Sequence, residues 1–186
     1  MKFTTLDSSW IARSTVMLFG LLSAFNLSVV LLYAMNVDSV STVLMSALVA
    51  FCIADFMSGL IHWLADHYGN RNMPILGRLF IGPFRDHHDD PEALLRQDWF
   101  ELLEGSAFLG LPLSMALFLL HVSGSPLDPG MFVITLTLVP IFGAFAVAAH
   151  RWAHASSAPI PAKLFHRAGL LIKPRSHTIH HRGDHT

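Results

Sequence analysis

MFVITLTLVPIFGAFAVAAHRWAH, residues 131–154, decides how this chain is read. From Met131 to Ala149 it holds no charged side chain, and it then closes on His150-Arg151-Trp152-Ala153-His154. A helix needs about 20 consecutive apolar residues to cross the hydrocarbon core of a bilayer. Working outward, the chain repeats the pattern. Between Arg13 and Asp38 lie 24 uncharged residues, between Glu104 and Asp128 another 23, and between Asp128 and Arg151 another 22. A fourth stretch, Val40–Ala65, is broken only by Asp55 and His62. Charged residues make up 13% of the chain, about half the usual share of a soluble domain, so too little polar surface remains to dissolve a bundle of such helices. The expected fold is all-α and integral to a membrane. Its four transmembrane helices run over about Thr15–Met35, Val40–Ala65, Ser106–His121 and Met131–Ala149, in one domain covering residues 1–186. The first run is too long for the apolar core of a cleaved signal peptide and reads as a retained span.

The connections Asn36–Ser39 and Ser123–Gly130 are rich in turn formers. Four crossings place the N-terminus, the long segment 66–105 and the tail after His150 on one side. All 12 Lys and Arg residues fall in those three segments, and the two short connections carry none. The positive-inside rule makes that side cytoplasmic. Glu92–Glu104 and Leu164–Ile172 mix apolar and charged residues in a way that suits the headgroup plane or packing on the protein itself. Cys52 is the only cysteine, which excludes an intrachain disulfide and a thiolate metal site. No basic face rich in Lys and Arg exists, which argues against a nucleic-acid partner.

Twelve histidines nearly match the Lys and Arg together, and their placement carries the argument. His62 ends the second span. His87 and His88 lie in the long segment, His150 and His154 close the fourth span, and His177, His180, His181 and His185 fill the tail. Residues four apart on a helix share a face. That holds for His150 and His154, for His177 and His181, and for His62 and Asp66. Nine histidines in four clusters on one face point to a metal site, since neutral imidazole is the commonest metal ligand. They exceed what one zinc takes. Two ions with five or six ligands each would use them, and imidazole suits iron as it does zinc and copper. Haem is a rival, with His62 and His150 as the only plausible axial pair. Asp55 inside a span is a functional candidate because an intramembrane carboxylate is costly. Asp66 and Asp98 are further acidic candidates, and each of the three can orient a ligating histidine.

The run Ala54-Asp55-Phe56-Met57-Ser58-Gly59-Leu60-Ile61-His62-Trp63-Leu64-Ala65-Asp66 resembles the signature of the plasmanylethanolamine desaturase family, the Kua-type lipid desaturase domain. Phe84-Arg85-Asp86-His87-His88-Asp89-Asp90-Pro91, His150-Arg151-Trp152-Ala153-His154 and the stretch from Gly169 to His185 resemble its later boxes, in order, across about residues 51–186. The resemblance implies a membrane di-iron enzyme. With two iron ions it would use O2 and external electrons to remove two hydrogens from a lipid chain near the headgroup. The double bond would be a plasmalogen vinyl ether or a trans bond near an acyl carboxyl. Carried over, the family's ligand positions fall on His62, His87, His88, His150, His154, His177, His180, His181 and His185. His67, His121 and His166 fall outside the motif. Gln97 stands where the family usually has a histidine, and Glu101-Leu102-Leu103-Glu104-Gly105 replaces its usual Glu-Thr-Asn-Gly stretch. These changes leave the substrate less fixed than the chemistry.

The sequence therefore leads to an oxidoreductase acting on a membrane phospholipid, in a bacterial inner membrane or the endoplasmic reticulum, with its site on the cytoplasmic side. Electrons would come from a separate cytochrome b5-like or ferredoxin-like donor, because the chain has no flavin, Rossmann or haem-attachment motif. The alternatives are a hydroxylase of the same di-iron chemistry and a haem- or metal-binding electron-transfer protein.

Overall fold

The computed structural model describes residues 5–35, 40–124 and 130–182. In order along the chain these form α1 (Thr5–Ala34), α2 (Val40–His67), a π-helical turn (Gly77–Ile81), α3 (Gly82–Asp89), α4 (Ala93–Arg96), α5 (Trp99–Val122), α6 (Met131–His154), α7 (Ile160–Ala168) and α8 (Pro174–Arg182). Among the described residues there is no strand. Four helices are long and apolar enough to cross a membrane: Trp10–Ala34, Val40–His67, Trp99–Val122 and Met131–His154. Leu21, Leu32, Leu44, Phe56 and Phe132 on them are more than 60% exposed, as side chains facing lipid are.

Each span outruns its uncharged stretch at one end or both. α5 starts at Trp99, not near Ser106, because Asp98 caps it. The Asp98 carboxylate accepts from Phe100 N (2.8 Å) and Glu101 N (2.9 Å), and Asp98 N donates to the Glu101 carboxylate (3.3 Å). This reciprocal capping box satisfies backbone donors that the first helical turn leaves free. Glu92–Glu104 is consequently not one interfacial helix. It divides at Gln97, whose backbone is extended, into the single turn of α4 and the start of a span. α6 continues to His154 and so carries both of its terminal histidines.

α2 lies along α6, α1 along α5, and α5 along α6. Val30, Ala50, Ile134 and Leu138 form a buried apolar cluster between α1, α2 and α6. Polar contacts pin the same region. Asn26 Nδ2 donates to the Ser114 carbonyl at 2.9 Å, and Ser46 Oγ lies 2.7 Å from the Thr42 carbonyl and 3.2 Å from that of Met131. Gly110 permits close approach of three helices, since a Cβ there would stand 2.7 Å from the Phe19 ring and 2.9 Å from Pro140.

Candidate metal centre

Four separate segments meet at one end of the bundle. α2 brings His62 and Asp66 on one face of its last two turns, and α6 brings His150 and His154 in the same i, i+4 relation. α3 is docked by Arg85, whose Nε donates to the Ala65 carbonyl (3.1 Å) and whose terminal nitrogen donates to that of Tyr68 (3.1 Å). These are carbonyls that the end of α2 leaves unpaired. The contact sets His87 and His88 beside His62. α7 ends on Gly169, whose φ of +74° turns the chain back. His166 Nδ1 donates to the Ile172 carbonyl (2.6 Å) and holds that return. α8 then meets the end of α6, with His177 buried, His181 half-buried and His180 at the exposed edge of the cluster. On the other flank, the Arg151 guanidinium donates to the carbonyls of Leu95 and Gln97, both at 2.9 Å, and sits 4.8 Å over the Trp99 ring.

The side chains sort into two adjoining groups. His87, His150, His154, His177 and His181 form the first; His62, Asp66, His88 and His180 form the second. Within each, one ligand atom per residue lies within 4.8 Å of all the others. α3 and α8 contribute to both, through the neighbouring pairs His87/His88 and His180/His181. Ring centroids of 4.6 Å for His87–His88 and 5.2 Å for His62–His150 join the groups.

Both groups fit a cation. The Nε2 atoms of His150, His154 and His177 form a triangle with sides of 2.7, 2.9 and 3.3 Å, and His181 Nε2 is 3.1 Å from that of His177. A neutral imidazole has one N–H, so a mutually facing triangle cannot be satisfied by hydrogen bonds alone. Nitrogens about 2 Å from a shared ion, at right angles to one another, stand about 3 Å apart. His87 Nε2 is buried without a partner, while its ring bonds to the Phe84 backbone, which leaves Nε2 as the ligand atom. Burial, and after it the neighbouring imidazoles, lower both His87 and His177 to about 3. They are neutral at any ordinary pH, as metal ligands must be. In the second group Asp66 Oδ2 stands 3.3 Å from His62 Nε2 and 3.2 Å from His88 Nε2, and Oδ1 is buried without a partner. No Lys or Arg pairs with it among the described residues. A buried carboxylate so placed needs a cation.

The profile of the lipid desaturase domain matches residues 51–186. The chain belongs to the lipid desaturase domain family. Plasmanylethanolamine desaturase of Myxococcus xanthus is 35% identical over 140 residues, 74% of this chain and 48% of that protein. Plasmanylethanolamine desaturase 1 of Mus musculus is 34% identical over 179 residues, 92% of this chain and 64% of the mouse protein. The chloroplastic fatty acid desaturase 4 of Arabidopsis thaliana is 30% identical over 141 residues, 73% and 40%. The chain thus spans about half to two thirds of the first two relatives' length. No solved structure matches it.

Within this lipid desaturase domain, eight of the nine histidines of the motif come together. The ninth, His185, lies outside the described residues. Asp66, read from the sequence as an acid supporting a ligand, stands among the candidate ligand atoms themselves. The signal for it was its spacing from His62, the same four residues that separate His150 from His154. Asp55 stands two turns below His62 in a cavity between α2 and α6, in neither group. Asp98 is the α5 cap and pairs with Arg13 at 3.5 Å, also in neither group. Of the histidines outside the motif, His67 Nδ1 is 2.8 Å from the Trp63 carbonyl, His121 lies 6.5 Å from the Phe25 ring at the far end of α5, and His166 holds the tail turn.

Proposed function

We propose that this chain is a membrane di-iron lipid desaturase that forms a double bond near the headgroup end of a lipid alkyl or acyl chain. The observation that carries the reading is the pair of adjoining ligand groups, five and four residues strong, at the ends of membrane-spanning helices. Two iron ions bound there would supply O2 reduction to water, drawing two electrons from a separate cytochrome b5-like or ferredoxin-like donor while two hydrogens leave adjacent carbons of the lipid. Around them the chain's own residues orient and shield. Asp66 supplies the one anionic ligand of its group and fixes the ring directions of His62 and His88. Arg85 holds α3, and with it His87 and His88, in place. The apolar flanks of α2 and α6 keep bulk water from the lipid face. Because the site stands at the span ends, the carbon that reacts is one near the headgroup. The Lys and Arg distribution supports a cytoplasmic site, in a bacterial inner membrane or the endoplasmic reticulum, with the whole of residues 1–186 as one domain.

Axial ligation of haem by His62 and His150 is not favoured. Their ring centroids are 5.2 Å apart, and the rings of His87 and His180 stand 5.2 and 5.4 Å from that of His62, those of His87 and His177 4.8 and 4.6 Å from that of His150, which leaves little room for a macrocycle between them. Protein made with iron available should hold about two irons per chain. Cells expressing it should gain vinyl-ether or trans-unsaturated phospholipid by lipid mass spectrometry. Active protein that carried one zinc and no iron, a Soret band, or hydroxylated lipid in place of the alkene would reject the reading.

A further inference from the structure

Two cavities flank the seam between α2 and α6, and both reach His62 and His150. Ala54, Ser58 and Ala146 line both. The smaller, about 530 Å³, also contains Asp55 and Asp66 and is roofed by the tail around Leu171 and Ile179. The larger, about 1040 Å³, runs between α2, α5 and α6. Its wall along the spans is apolar, with Met57, Ile61, Leu109, Leu113, Val139 and Val147. It touches His87 as well, so it meets both ligand groups.

Resting on the desaturase reading, we propose that the larger cavity binds the hydrocarbon chain of the lipid beyond the reacting carbons, and that Gly143 sets how long a chain it accepts. A saturated chain is recognised by apolar area alone; the larger cavity has its charged lining, Arg78, Glu101 and Glu104, at the histidine-bearing end of the spans and is apolar beyond it, whereas the smaller holds the Asp55 carboxylate two turns further into α2 than His62. Gly143 lies seven residues before His150 on α6, about 10 Å toward the far end at 1.5 Å per residue. A Cβ built on it meets nothing within 4 Å, and the residue lines the larger cavity. Added bulk there projects into the space the chain would occupy and leaves the helix contacts alone. Gly110 lines the same cavity but is already closed by Phe19 and Pro140, so it serves packing. Gly59 is the counterpart in the smaller cavity, again with nothing within 4 Å of its Cβ.

The probe is a pair of phosphatidylethanolamines, one with hexyl-length chains, which end short of Gly143, and one with octadecyl-length chains, each bearing a diazirine. It is placed at mid-chain on the long lipid and near the chain end on the short one. They are irradiated with the full chain in detergent, and labelled residues are mapped by peptide mass spectrometry. Label from the long chain on α5 and α6 residues of the larger cavity, such as Leu113 and Val139, is the expected result. Label confined to Phe51, Phe142 and Phe145 of the smaller cavity overturns the proposal. Gly143→Leu should lower long-chain relative to short-chain labelling about ten-fold, Gly143→Ala less in the same direction, and Gly59→Leu not at all. An unchanged ratio in both Gly143 variants, or a shift in Gly59→Leu, also overturns it. The labelling needs no turnover. Absence of desaturated lipid from cells expressing the protein counts against the desaturase reading, and the label map decides the cavity.

Discussion

Asp66 is the residue on which the second ligand group turns. Its carboxylate faces His62 and His88, and no Lys or Arg pairs with it among the described residues, so on the proposed reading its worth depends on the ion it would help hold. Asp66→Asn keeps the shape and removes the charge. It should lower iron from about two per chain toward one, with desaturation nearly abolished. His154→Ala should do the same through the other group. Iron analysis of the purified variants checks both, and full iron content in Asp66→Asn would remove it from the ligands. His87 and His177 make a further prediction for the metal-free protein. In the unfolded chain they take up protons as pH falls through the ordinary value of 6.5, but in the fold not until about 3. Stability is therefore full above 6.5 and declines as pH drops from there toward 3, by about 1.4 kcal/mol per pH unit for each group. Melting of chelator-treated protein should fall markedly from about pH 7.5 to about pH 5, and a flat profile would contradict it.

At the scale of elements, local chemistry overrides composition. Asp98 illustrates it. The sequence offers it as an acid beside the second histidine box, and the structure uses it to start α5. Asparagine caps a helix as well as aspartate does, so Asp98→Asn should keep both stability and product formation, while Asp98→Ala should cost about 1 kcal/mol of stability. Thermal melting and lipid analysis of the pair separate a cap from a reacting acid: loss of product in Asp98→Asn at normal stability would give Asp98 a part in the reaction besides the cap. The same scale explains what the sequence left hidden. The pairs four apart, His62 and Asp66 on α2, His150 and His154 on α6, and His177 and His181 on α8, were legible, because helical spacing fixes direction. The division of His87 from His88 was not. Neighbours on a short helix part between two groups only because Arg85 ties α3 to the end of α2, a contact across 20 residues that no periodicity records. The role of His166 was hidden likewise, since its partner is the Ile172 carbonyl and appears only once Gly169 has turned the chain.

For the whole molecule, the uncharged runs made the four spans and the histidine-bearing end legible, since apolar length sets both. The proposed orientation in the membrane rests on the Lys and Arg distribution. With Cys52 replaced by Ala, single cysteines at Met35 and Gly124 should react with an impermeant thiol reagent added outside intact cells, and one at Ser176 should react only after permeabilisation. Labelling of Ser176→Cys from outside would invert the arrangement. The architecture also has a consequence in time. α8 is the last described helix to leave the ribosome, and it supplies His177 and His181 to one group and His180 to the other. Neither group is complete until that helix folds back over α6, after all four spans have been made. Biogenesis thus has an internal order. A half-inserted chain lacks residues of both groups, so whatever chemistry the groups support arises only after the four spans, and the lipid-facing walls they form, already stand around it.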